Sequence, residues 1–127
     1  MLKSSKTLLA GVFLTTGLLM CVTGGRASAA VDGEQVYQFY CAQCHGAGGK
    51  GDGPNVTPSM PVTPRNFTKQ EDMNKLSDLD IQNVIMEGGP ALSKSPMMPP
   101  WSQTLSKDEV AAMVAHLRKL CDCKGKQ

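Results

Sequence analysis

Residues 39–55 read "FYCAQCHGAGGKGDGPN". Cys41 and Cys44 stand three apart, His45 follows directly, and a glycine-rich run comes after it. Side chains at i and i+3 share one face of a helix, so a single turn offers both thiols with an imidazole beside them. Three chemistries use that arrangement: a dithiol redox pair, a metal knuckle, or a haem attached through thioethers. A fourth pattern overlaps it, because Gly46 to Gly51 fits G-x-G-x-x-G.

The surrounding sequence separates these readings. A thioredoxin-like dithiol follows a strand and opens a helix, whereas here the apolar period of Val36, Tyr37 and Tyr40 predicts a helix over residues 33–44 that ends at the cysteines. The dinucleotide fingerprint also needs a preceding strand. A zinc site would have to recruit Cys121 and Cys123, whose C-x-C spacing makes a poor knuckle and leaves His45 without a task. The haem reading uses every residue. C-x-x-C-H places two thiols to add across the vinyl groups of a porphyrin and an imidazole at the iron. A further reading of the same residue types, a copper-binding module built from Met and Cys, is separated from it by the mass of the purified protein.

The N-terminus supplies the compartment. Lys3 and Lys6 precede an apolar stretch from Leu8 to Val22, and Ala27-Ser28-Ala29 forms a small-x-small cleavage site. This order predicts a secretory signal peptide over residues 1–29, which places the mature chain, 30–127, in the periplasm. The apolar run is shorter than the roughly 20 residues a membrane span needs, so no integral membrane segment is expected after cleavage. A lipoprotein anchored at Cys21 is the lesser alternative, since Met20 is bulky for that signal. The whole chain has 13 basic and 11 acidic residues; without Lys3, Lys6 and Arg26 the balance turns slightly negative, and no basic patch remains to bind nucleic acid. Cys121 and Cys123 are open to a local disulfide, free thiols or a link between chains.

Beyond the cysteines, residues 46–66 are rich in Gly and Pro and carry no period. Thr68 can cap a short helix over 69–74. Ser77 caps a longer one, with Leu79, Val84 and Ile85 as its apolar positions and Gly88-Gly89 as its stop. Residues 90–104 form a proline-laced loop, and Ser106 to Glu109 read as a capping box opening the last helix. No strand is expected. The fold class is all-α, with three main helices and a short one. Loops this long in so small a domain imply that something other than protein fills its middle. His45 would leave one axial position on an iron. Met97 and Met98 lie in "SPMMPPW", where flanking prolines stiffen the backbone.

The chain resembles class I cytochromes c. The likeness runs through "GEQVYQFYCAQCH" (33–45), "GPN" (53–55), "MPPW" (98–101) and the final helix "VAAMVAHLRKL". It implies one haem c held by Cys41 and Cys44, with His45 and Met98 as axial ligands and Met97 as the competitor for the sixth position. It also implies that the Pro54 carbonyl accepts a hydrogen bond from His45. Trp101 and Arg65 are expected near the propionates, and Gly33 and Tyr37 at the contact of the first and last helices. His116 stands where the family has an aromatic and is expected to pack there, the alternative being a second haem ligand. The implied function is single-electron transfer, by a monomer, between transiently docked redox partners and not enzymatic turnover. The alternative is a haem sensor or peroxidase-like protein with a labile Met.

Overall fold

Asp32 starts the first helix: its carboxylate accepts the backbone N–H groups of Glu34 (2.9 Å) and Gln35 (3.3 Å), satisfying donors that a helix N-terminus otherwise leaves unpaired. The computed structural model describes residues 30–126; the expected signal peptide, residues 1–29, and Cys21 lie outside the described residues. In chain order the elements are α1 (Gly33–Tyr40), α2 (Ala42–His45), α3 (Gln70–Met73), α4 (Asp78–Glu87), a 3-10 turn (Gly89–Leu92) and α5 (Lys107–Cys121). No strand occurs among the described residues. The segment expected as one helix over 33–44 is divided at Cys41, whose carbonyl accepts from both Cys44 N–H (3.1 Å) and His45 N–H (2.9 Å).

The Ser77 cap and the Ser106 capping box both form, and Ser77 too closes a capping box. Ser77 and Asp80 exchange hydrogen bonds of 2.8 and 3.1 Å at the start of α4, and Ser106 and Glu109 do the same at α5. Two local expectations fail. Thr68 does not cap α3: its N–H and hydroxyl both donate to Asn66 Oδ1, a turn closed before the helix begins. On α4 the buried positions are Ile81 and Ile85, an i,i+4 stripe, while Leu79 lies off that stripe and is 62% exposed.

α5 buries Val110, Met113, Val114, Leu117 and Cys121 along one face, and α1 crosses that face at Gly33. A Cβ at Gly33 would run into the Ala112 carbonyl and stand 3.0 Å from Met113 N. Backbone lies against backbone there, with no flexible side chain able to give way. Gly33→Val is expected to destabilise the domain by roughly 2–3 kcal/mol, a fall in melting temperature of roughly 10–20 °C for a domain of this size. A melt displaced by less than 3 °C would mean that the two helices do not meet so closely.

His116 packs in the same contact, its ring centroid 5.0 Å from that of Tyr37. It is buried, and its Nε2 has no hydrogen-bond partner. The expectation of a packing role matches this position, which is not on the cavity wall. Burial holds the imidazole below its ordinary range, and Lys119 adds to this; Glu34 and Asp32 work against it. The unfolded chain therefore binds a proton that the folded chain resists, and stability falls as pH drops below about 6.5. Urea melts of the haem-loaded protein between pH 7.5 and 5 should show this slope, and His116→Phe should flatten it.

The C-terminal tail closes the molecule. Cys121 and Cys123 form a disulfide; it spans so short a loop that chain entropy accounts for only about 1–2 kcal/mol of stabilisation. Lys126 N–H donates to Leu76 O (3.1 Å) and Gly125 N–H to Asn74 Oδ1 (3.1 Å), tying the tail to the α3–α4 junction. Between these elements lies a cavity of about 660 Å³, at the middle of the domain that the loop lengths left to something other than protein.

Candidate haem site

One wall of the cavity is α2 with the end of α1. Cys41, Cys44 and His45 all line it. The two cysteines are not bonded to each other, and the Cys41 thiol donates to the Met113 thioether at 3.3 Å. Burial, with Cys44 adding to it, pushes the Cys41 thiol up to about 12. A redox dithiol needs the opposite, a thiol shifted down towards thiolate. The Cys121–Cys123 disulfide also removes those two thiols from any zinc set.

The loop after α2 orients His45. Its Nδ1–H donates to the Arg65 carbonyl at 3.1 Å. A carbonyl can only accept, so Nδ1 carries the proton and Nε2 keeps its lone pair, the form a metal ligand requires. Phe67 stacks on the imidazole, centroids 4.5 Å apart and planes 22° from parallel. The same loop is pinned by Phe67 N–H to Gly49 O (2.6 Å), Gly51 N–H to His45 O (2.8 Å) and the Tyr37 hydroxyl to Gly46 O (2.7 Å). Desolvation lowers the His45 pKa; the hydrogen bond to Arg65 opposes it, and the Arg65 charge lowers it further.

The expected partner of His45 was the Pro54 carbonyl, and here the structure corrects the sequence reading. Gly53 N–H donates to Cys44 O (3.2 Å) and Asn55 N–H to Gln43 O (2.8 Å). The "GPN" segment is thus spent on the free carbonyls at the end of α2, and Pro54 lies exposed, off the cavity wall. Phe67 is the residue that sequence reasoning missed. It sits in an aperiodic loop, where nothing assigns an aromatic to a face; its place two residues after Arg65 was the only signal.

Another stretch of wall comes from the proline-laced loop. Gly89 N–H donates to Met98 O (2.9 Å), Met98 N–H to Ser95 O (3.3 Å), Trp101 N–H to Ile85 O (3.0 Å) and Ser102 N–H to Met86 O (3.1 Å). A Cβ at Gly89 would collide with the Ser95 carbonyl. The loop is therefore stitched at its base and closed on itself. Met60, Met73, Met97, Met98 and Met113 all reach the cavity. Met73 and Met113 are fully buried in the helical core, Met97 is 53% exposed, and Met98 is half-buried against the core. Trp101 lines the cavity edge-to-face with Tyr40, and its indole N–H has no acceptor among the described residues. Arg65 is half-buried on the wall and makes no ion pair among them.

These residues fit a haem. The volume lies within the usual range of cofactor pockets, the walls include the apolar Ile81, Ile85 and Leu117, and thiols, an oriented imidazole and a thioether converge on it.

Over residues 28–117 the chain matches the family described as cytochrome C oxidase, cbb3-type, subunit III. Among solved structures, the KustC0563 c-type cytochrome superposes with a TM-score of 0.56 at 33% identity, covering 71% of this chain and 98% of that one. A chain of the Kuenenia stuttgartiensis reducing HAO-like protein complex Kustc0457/Kustc0458 gives 0.55 at 35% identity, covering 69% of this chain and 40% of its own. No curated protein matches.

Proposed function

The chain belongs to the monohaem cytochrome c family, proteins of electron transfer, and from that premise we propose that residues 30–127 form a single-haem domain that shuttles electrons between redox partners in the periplasm. Residues 1–29, with Ala27-Ser28-Ala29 at their end, are read as the export signal. No helix among the described residues is long and apolar enough to cross a membrane.

Bound in this cavity, haem supplies a one-electron Fe(III)/Fe(II) couple. Cys41 and Cys44 would hold it through thioethers. His45 Nε2 and the Met98 thioether would hold its iron. Arg65 and the Trp101 indole N–H take the propionates, as a guanidinium suits carboxylates. The observation that carries this reading is the His45 Nδ1–H bond to the Arg65 carbonyl, which leaves the lone pair on Nε2 beside two unbonded thiols. With His45 and Met98 both given to the iron, no position would remain for a substrate, which favours a carrier over an enzyme. The stitched Met98 loop weighs against a sensor or peroxidase-like role that needs the thioether to leave. One structural neighbour belongs to a HAO-like complex, so service as a subunit of a larger assembly fits the same chemistry.

Denaturing mass spectrometry of the exported protein tests this. The mass should exceed that of the cleaved chain by one iron porphyrin, and neither Cys41 nor Cys44 should react with an alkylating reagent. A colourless protein with two alkylated thiols would end the proposal.

A further inference from the structure

Two restraints meet on the His45 ring from different directions, and both come from residues 65–67. At the ring's edge, Nδ1–H donates to the Arg65 carbonyl at 3.1 Å. On its face lies the Phe67 ring, centroids 4.5 Å apart and planes 22° from parallel. The hydrogen bond alone holds one edge, because a carbonyl accepts over a broad range of angles; the imidazole could still rock out of its plane about that contact. A flat ring packed on the face blocks the motion. Phe67 has nowhere to retreat. It is buried, and the Tyr37 ring meets it edge-on at 6.3 Å. Its N–H donates to Gly49 O (2.6 Å), and a Cβ at Gly49 would stand 3.4 Å from Phe67 Cβ. Tyr37 is in turn fully buried, with its hydroxyl on Gly46 O at 2.7 Å. The acceptor side is backed as well: a Cβ at Gly51 would run into the Pro64 carbonyl, so the glycine loop lies directly on the chain that carries Arg65.

We propose that Phe67 is a positioning residue for the axial ligand. With the Arg65 carbonyl at one edge and the Phe67 ring on one face, the imidazole plane is fixed at a single angle, and the Nδ1–H bond is shielded from solvent on that face. The hydrogen bond then supports the same lone-pair donation from Nε2 in both oxidation states of the iron, and an electron arrives or leaves without a rearrangement of the ligand. Any apolar side chain would fill the space; only a flat one restrains a plane. The inference rests on the electron-carrier reading.

Nuclear magnetic resonance of the haem-loaded protein tests this. In the Fe(III) form the shifts of the haem methyl groups follow the angles of the axial ligand planes. In the Fe(II) form the exchange of His45 Nδ1–H with solvent reports how often its bond to Arg65 opens. Phe67→Leu keeps an apolar side chain and removes the flat face; it should speed that exchange roughly tenfold and change the order of the methyl shifts. Phe67→Tyr keeps the ring and should leave both as in the parent. A Phe67→Leu protein that melts lower, yet keeps the methyl order and exchanges within twofold of the parent, would mean that Phe67 only packs; the inference would fall and the carrier reading would stand. Should Phe67→Leu load no haem, the parent decides: Overhauser contacts between the ring protons of Phe67 and His45 are expected, and their absence overturns the inference. A parent without haem would remove the carrier reading, and the inference with it.

Discussion

Met98→Ala is expected to let carbon monoxide bind the ferrous protein rapidly and stoichiometrically, and to lower the reduction potential by on the order of 0.2 V, about a quarter of the span that axial ligands command. The thioether stabilises the reduced iron, so its loss favours Fe(III). Met97→Ala should change neither reading. The two methionines are neighbours, but their backbones differ in restraint. Met98 is held through both its N–H and its carbonyl, by Ser95 and Gly89, and Pro99 and Pro100 follow it. The Met97 N–H reaches only the Ser95 hydroxyl (3.2 Å), and more than half of its surface faces water. A thioether is a weak ligand, and ordering a free side chain costs up to 2 kcal/mol or so; the half-buried, restrained Met98 has less of that freedom left to lose. Carbon monoxide binding in Met97→Ala and not in Met98→Ala would transfer the sixth ligand to Met97.

Arg118→Leu is expected to destabilise the domain by roughly 3–5 kcal/mol, a fall in melting temperature of roughly 15–30 °C. Its side chain is only 11% exposed and makes four hydrogen bonds: Nε to Asp78 Oδ1 (2.8 Å), Nη1 to Met73 O (2.9 Å) and to Cys123 Sγ (3.5 Å), and Nη2 to Leu76 O (2.8 Å). Those carbonyls lie at and just beyond the end of α3, where each has one backbone partner, Leu76 N–H on Met73 O (3.2 Å) and Lys126 N–H on Leu76 O (3.1 Å), and the guanidinium supplies the second. Leucine keeps most of the volume but leaves both acceptors and the Asp78 carboxylate without the guanidinium. The tail loses its seat as well, since Gly125 rests directly on Nη2. Arg118→Lys should recover only part of the loss, because one ammonium cannot span three acceptors arranged around a planar fork. A melt of Arg118→Leu within 5 °C of the parent would show that these bonds form without contributing to stability.

The local signals and the long-range ones fared differently. Ser77 and Ser106 could be read as caps because a capping box lies within four residues of chain. That Cys41, Cys44 and His45 come together on one wall of the cavity was legible for the same reason: they fall within five residues, on one turn. The partner of His45 was not visible. "GPN" invited Pro54, yet Arg65 lies 20 residues from the histidine, and only the course of the loop brings its carbonyl there. Leu79 and Ile81 show a milder failure. Both suit a helix, and which of them is buried depends on where α5 and the cavity lie, something a ten-residue period does not encode.

What the amino-acid order settled alone was chemistry and local geometry: an all-α chain, two thiols and an imidazole on one turn, and a stiff methionine loop. These follow from steric preferences and hydrogen bonds over three or four residues, which act whatever the rest of the molecule does. Tertiary structure decided the rest: which carbonyl faces His45, that Phe67 stacks on it, that Met98 is more buried than Met97, and that Arg118 closes the α3–α4 junction. Each joins residues far apart in sequence, and such contacts exist only once the chain has closed around the cavity.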